Sequence, residues 1–116
     1  MRFLLLIISD EKAWAALPRP EQERVVARHG EFEKALVAEG KFLSCNALRP
    51  SSEARTVHIR SDGSRVVTDG PYAETRELVG GYYLIECPST AEAVEWAKRL
   101  PNVFGSVEVR PVEDMP

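Results

Sequence analysis

Two cysteines and two histidines in 116 residues leave this chain little material for thiol or metal chemistry. Cys45 and Cys87 form neither a CxxC pair nor a dense framework, so no disulfide scaffold is expected, and packing rather than catalysis is the expected role of each. No HExxH motif and no His-Asp cluster has ligand spacing, so no metal is expected. GxGxxG and P-loop patterns are missing, no serine sits in a nucleophile elbow, and no cofactor is expected. The charge balance is only weakly acidic, at −3 with 28% charged residues, and no stripe of Lys and Arg alternates with aromatics. The usual electrostatic footprint of a nucleic-acid binder is therefore absent. The apolar run FLLLII near the start is too short to cross a bilayer, is followed directly by Asp10, Glu11 and Lys12, and lacks a small-residue cleavage pattern. The expectation is a cytoplasmic protein with reduced thiols and no membrane partner.

What remains is enough for one ordinary domain spanning 1–116: 44% hydrophobic residues can bury a core without disulfide or metal. Arg2 to Ser9 reads as a strand that is apolar on both faces, with Phe3, Leu5 and Ile7 pointing one way and Leu4, Leu6 and Ile8 the other. Glu11 to Arg19 reads as a connector anchored by Trp14 and Leu17, through which Pro18 and Pro20 prevent a helix from running. From Pro20 to Glu39, the residues Val25, His29, Phe32 and Leu36 recur at helical spacing, and Gly40 is placed to cap the end. Lys41 to Pro50 reads as a turn and a short extended piece, and Ser51 to Ala54 as a polar loop.

Arg55 to Arg60 alternates, with Val57 and Ile59 on one face and Thr56, His58 and Arg60 on the other; Asp62-Gly63 turns the chain and Arg65 to Thr68 returns beside it. Asp69-Gly70-Pro71 is strong turn chemistry: Asp bonds its own downstream backbone, Gly tolerates positive φ, and Pro fixes φ while removing a donor. An acidic loop then leads into Gly81 to Cys87, whose Tyr82, Tyr83, Leu84 and Ile85 suit a buried strand. Ser89 followed by Glu92 makes a capping box, and Ala93, Val94, Ala97 and Leu100 supply the apolar face of a second helix ended by Pro101, with Trp96 at the edge of that face. Ser106 to Pro111 closes the chain as a strand with Val107 and Val109 on one side.

The order strand, helix, two-strand hairpin, strand, helix, strand matches the ferredoxin-like βαββαβ arrangement of an α+β protein. Two helices cover one face of such a sheet, yet the first strand and the Gly81 strand are apolar on both. A symmetric homodimer with two sheets packed face to face is the simplest way to cover the other.

The run TDGPYAETRELVGGYYLIE resembles the signature of the DGPF family, within the wider YCII-related group, with Tyr72 where many members carry Phe. The likeness extends to MRFLLLI, to ARTVHIRSDGSRVVTDGP and to GSVEVRPV, and so covers nearly the whole chain. The resemblance implies a dimeric α+β barrel of uncertain molecular function. It also implies a histidine on the first helix, which alignment on EGKFL puts at His29, paired with an Asp just before a Pro after the second helix. This chain has Leu100 before Pro101, and Asp69 is the best substitute carboxylate if its loop folds towards His29.

Taken from the residues alone, His29 is either a general base held near neutral pH by its apolar surroundings or a half-buried histidine bonded to a backbone carbonyl. Asp69 is either its orienting carboxylate or a turn-former. Tyr72, Tyr82 and Tyr83 either line a pocket or pack in the core or at a dimer contact, and Glu74, with Glu77, either serves such a pocket or belongs to a solvated loop. The site expected is therefore His29 and Asp69 for catalysis with Tyr72, Tyr82 and Glu74 around a small organic molecule. By family analogy the chemistry would be proton transfer of the lyase or isomerase type. The alternative is a non-catalytic regulatory or interaction module, since DGPF-like proteins resemble companions of extracytoplasmic-function sigma factors.

Overall fold

The apolar two-sided segment at the start becomes the first strand, β1 (Arg2–Asp10), and the rest of the chain assembles around it. A computed structural model describes residues 1–116. Three helices follow in chain order, α1 (Glu11–Ala16), α2 (Arg19–Ala38) and α3 (Thr90–Arg99), with strands β2 (Phe42–Ala47), β3 (Arg55–Ile59), β4 (Arg65–Asp69), β5 (Glu77–Glu86) and β6 (Gly105–Pro111). Four strands form one antiparallel sheet in the order β2-β5-β1-β6, which is the ferredoxin-like arrangement of an α+β protein.

The register explains which residues form the core. Phe3 lies opposite Ile85 and Leu5 opposite Tyr83, so these four share a face, while Leu4 opposite Leu84 and Leu6 opposite Tyr82 share the other. The buried cluster takes Phe3, Leu5, Tyr83, Ile85 and Cys87 from the first face, Phe32 and Leu36 from α2, and Ala93, Trp96 and Leu100 from α3. Nothing from the Leu4, Leu6, Tyr82 and Leu84 face enters it.

Several local expectations need correcting. The second strand of the sheet is β2, read from sequence as a turn and an extended piece. It is an edge strand paired only with β5, and a register shift between Phe42 and Ser44 breaks its alternation, so its pattern is weak. The expected hairpin does form, as β3 and β4 with Val57 opposite Val67, but it is a separate two-stranded ribbon outside the main sheet. Its two ends meet where the Gly70 N–H donates to the Ala54 carbonyl at 2.8 Å. Gly70 has φ 94°, the left-handed backbone that the Asp-Gly-Pro turn requires. Strand β5 begins at Glu77, four residues before the expected Gly81.

The connector after β1 contains a short helix, α1, because Asp10 caps it by accepting from the Ala13 N–H at 3.0 Å; the chain turns extended at Leu17, before Pro18. In α3 only half of the capping box forms. Ser89 Oγ accepts from the Glu92 N–H at 3.2 Å, but the Glu92 carboxylate turns to Lys41 at 3.4 Å instead of back to Ser89. Trp96, expected at the edge of the α3 face, is at its centre with 5% exposure, and Val94 is displaced to the surface. The indole buries far more apolar area than Val, and the helix rotates to take it in.

Candidate functional site

Helix α2 presents Val25, Phe32 and Leu36 to the sheet as buried residues, and His29 sits on the same stripe, half-buried. A polar ring aimed at an apolar core needs a partner there. It finds one in Tyr83, which alternation on β5 turns towards the helices: His29 Nδ1 and the Tyr83 hydroxyl are 2.8 Å apart. The two rings lie nearly parallel, 8° between planes and 5.9 Å between centroids. Phe32 holds the arrangement from the side, edge-on to Tyr83 at 5.0 Å and near-perpendicular to Trp96 at 6.1 Å.

Burial depresses the His29 pKa, partly opposed by the neighbouring Pro101 carbonyl, so the ring is neutral at pH 7. Burial, with Cys45 and Glu33 as further causes, raises the Tyr83 pKa far above the usual phenol range, so Tyr83 keeps its proton. A neutral imidazole has one N–H and one bare nitrogen: with the proton on Nε2, Nδ1 accepts from the phenol, and with the proton on Nδ1 it donates to the phenol oxygen and leaves Nε2 basic. The result is a neutral histidine held through Nδ1 by a phenol that keeps its proton. Cys45, raised first by burial and then by Glu33, and Cys87, raised chiefly by burial, are both held as thiols and are poor nucleophiles.

The remaining site residues are not gathered here. Asp69 ends β4 and pairs with Arg55 of β3 at 3.0 Å, its side chain 89% exposed, and no hydrogen bond or ion pair joins it to His29. Tyr72, 87% exposed, and Glu74 lie in the loop after β4. Tyr82 neighbours Tyr83 on β5 and so points to the opposite face, where its hydroxyl accepts from Asn46 Nδ2 at 2.9 Å. His29 and Tyr82 are thus on opposite sides of one sheet. No group of three or more His, Cys, Asp and Glu side chains converges on a point.

Two open grooves flank the helices. One, of about 330 Å³, is lined by Arg28, Glu31, Phe32, Arg99 and Pro101, and borders His29 through its neighbours on α2 and through Pro101. The other, of about 520 Å³, runs between α3 and β6 past Val94, Ala97, Asn102, Val107 and Val109. The Leu100-Pro101 step does lie beside His29, where the resemblance implies a carboxylate, but Leu100 is turned into the core at 7% exposure. Tyr83 was the residue to find: it shares the phase of Ile85 on β5, and a histidine on an apolar helix stripe calls for a polar group in that phase.

An uncharacterized protein of Rhizobium meliloti (strain 1021) is 37% identical to this chain over 115 residues, which cover 97% of the chain and 92% of that protein. The YCII-related domain matches residues 1–116. With the antiparallel sheet order, the helix-borne histidine and the Pro101 step beside it already in place, the chain belongs to the YCII-related domain family.

Proposed function

We propose that the protein is a homodimer, joined through the open face of its sheet, that binds a small organic molecule beside His29 and moves a proton on it. The observation that carries the site is the contact of a neutral His29 with the Tyr83 hydroxyl at the edge of a groove. His29 is the base: with its own proton on Nδ1, shared with the Tyr83 oxygen, Nε2 takes a proton from the bound molecule and the imidazolium returns it at a second position, while Tyr83 keeps its phenol proton. Isomerase-type chemistry fits such a base, because it relocates a proton on one molecule; in a lyase step the same proton removal is accompanied by departure of a leaving group with the electrons of the bond it breaks. Asp69, occupied by Arg55, is not part of this reading.

The dimer is supported by area. A folded chain of 13.0 kDa is expected to expose about 6,300 Å², whereas this one exposes 8156 Å². The excess is more than the roughly 800 Å² per partner that a standard interface removes. Leu4, Leu6, Tyr82 and Leu84 give that interface an apolar centre.

A screen of metabolites by shift in melting temperature, repeated on His29→Ala, tests the site. The expected result is a shift that disappears in His29→Ala while sedimentation still shows a dimer. A shift that survives the substitution refutes it.

The second reading, a regulatory or interaction module, is favoured by the β3–β4 ribbon, which stands outside the sheet with Val57, Ile59 and Val67 more than half exposed. Under that reading His29→Ala changes nothing, and substitutions at Glu74 or Arg76, in the loop after the ribbon, weaken a protein partner.

A further inference from the structure

Nine of the fifteen Lys and Arg side chains are held by carboxylates, among them Arg2 by Asp114, Arg24 by Glu21, Lys41 by Glu92, Arg49 by Glu53 and Arg55 by Asp69. Arg28 and Arg99 are not, although they come from different helices and line the same groove beside His29. Arg99 is also held in place, its guanidinium lying 4.4 Å over the ring of buried Trp96. A position in the last turn of α3 favours a cation through the helix dipole. The dipole does not account for a planar fork stacked on an indole and directed into a groove that a second arginine shares. Against these two charges the lining sets one carboxylate, Glu31, so the groove is locally positive on a chain whose net charge is −3.

We propose that this groove is the binding place for the charged end of a small organic oxyanion, a carboxylate or a phosphate ester, whose uncharged part extends over Phe32 and Pro101 towards His29. The inference rests on the reading of His29 as a ligand site and names the class of ligand. A guanidinium offers two parallel N–H donors that match an oxyanion edge, and a stacked guanidinium loses less freedom when it binds. The volume, about 330 Å³, is at the small end of metabolite pockets, which suits a compact molecule. Binding the charged end at the stacked Arg99 guanidinium positions the neutral carbon skeleton towards the imidazole, which a base needs before it can select one proton.

The indole beneath Arg99 reports on the groove. In the 116-residue chain carrying Trp14→Phe, Trp96 is the remaining tryptophan, and its emission is followed on titration with benzoate, inorganic phosphate and, as the neutral control, benzamide. A saturable change with benzoate or phosphate is expected, weakened at least about tenfold by Arg99→Gln and by Arg28→Gln, the loss of one charged hydrogen-bonding group. Arg99→Lys, which keeps the charge and loses the fork, should fall between. Benzoate alone marks a carboxylate ligand, and phosphate alone a phosphate ester. Benzamide binding as well as benzoate, with no effect of the arginine substitutions, overturns the anion assignment and leaves the His29 site standing. No saturable response to either anion overturns it too. Anion binding that needs Arg99, together with a metabolite shift untouched by His29→Ala, upholds the groove and removes the role of His29.

Discussion

Replacing Tyr83 by Phe removes one oxygen and leaves the ring that packs on Phe32 and lies parallel to His29. The direct loss is one hydrogen bond between neutral groups, about 1 kcal/mol. His29 Nδ1 is then left half-buried without its partner, and part of a desolvation penalty is added, for a total of about 1–2 kcal/mol. For a domain of this size that lowers the melting temperature by about 4–8 °C. His29→Ala alone costs the same bond and the imidazole packing. The double substitution should therefore cost less than the sum of the two, by about 1 kcal/mol, because the bond is lost only once. Urea unfolding of the four proteins at one fixed protomer concentration measures this, with the concentration held constant because the stability of the proposed dimer would depend on it. Additivity within about 0.3 kcal/mol would show that the two side chains do not sense each other. The assignment of Tyr83 as the partner of His29 would then be wrong.

Three further outcomes follow from the same structure. His29 has a folded pKa below its unfolded value of about 6.5, so the unfolded chain takes up the proton first and stability is lost as pH falls from about 6.5 towards the folded value. His29→Gln should lack that part of the loss, and equal pH profiles of urea midpoint for the two proteins would contradict it. Gly105 has φ 137°, and a Cβ there would overlap the Ile8 carbonyl oxygen, so Gly105→Ala should destabilise by about 3 kcal/mol or more; a thermal scan unchanged from the parent would place β6 differently. The β3–β4 ribbon gives no residue to the buried cluster, and Ala54 and Gly70 already meet at its base, so joining them directly should leave the melting temperature within about 5 °C. Loss of cooperative unfolding in that deletion would show that the ribbon helps hold the sheet together.

Long, strongly patterned segments were legible in the sequence. Two-sided β1, the α2 stripe of Val25, Phe32 and Leu36, and the β5 phase of Tyr83 and Ile85 follow from burial, which periodicity records directly. Strand β2 was not, because an edge strand with Ser44 and Asn46 on its open side buries too little to show a period. The ribbon was legible as a hairpin but not in its position: alternation specifies that two strands pair, and says nothing of which sheet they join. At the site, His29 was legible as a polar break in an apolar stripe. Asp69 was named for its turn and its chemistry, and neither carries information on what lies across space from it. That Arg28 and Arg99 line one groove had no sequence signal, since the two are far apart in the chain and are brought to it by the packing of Phe32 on α2 against Trp96 on α3.

The residue before Pro101 sets the electrostatics around His29. The resemblance implies an ionised group there facing His29, and an ionised partner would hold the imidazole more basic. In this chain Leu100 occupies that step and packs among Phe32, Trp96 and Ala93, while a phenol that burial keeps protonated takes up the histidine from the sheet side. The two arrangements have opposite electrostatic consequences. A carboxylate stabilises the imidazolium formed when His29 removes a proton, and Tyr83 does not. The positive charge left on His29 must then be balanced from elsewhere, and two unpaired arginines nearby make that harder unless an anion lies between them. A ligand that brings its own negative charge to Arg28 and Arg99 supplies the missing balance, so the protein would act on anionic molecules and leave their neutral analogues untouched. Turnover of a carboxylate substrate but not of its amide, with His29→Ala inactive, is the behaviour this predicts, and equal turnover of both would refute it.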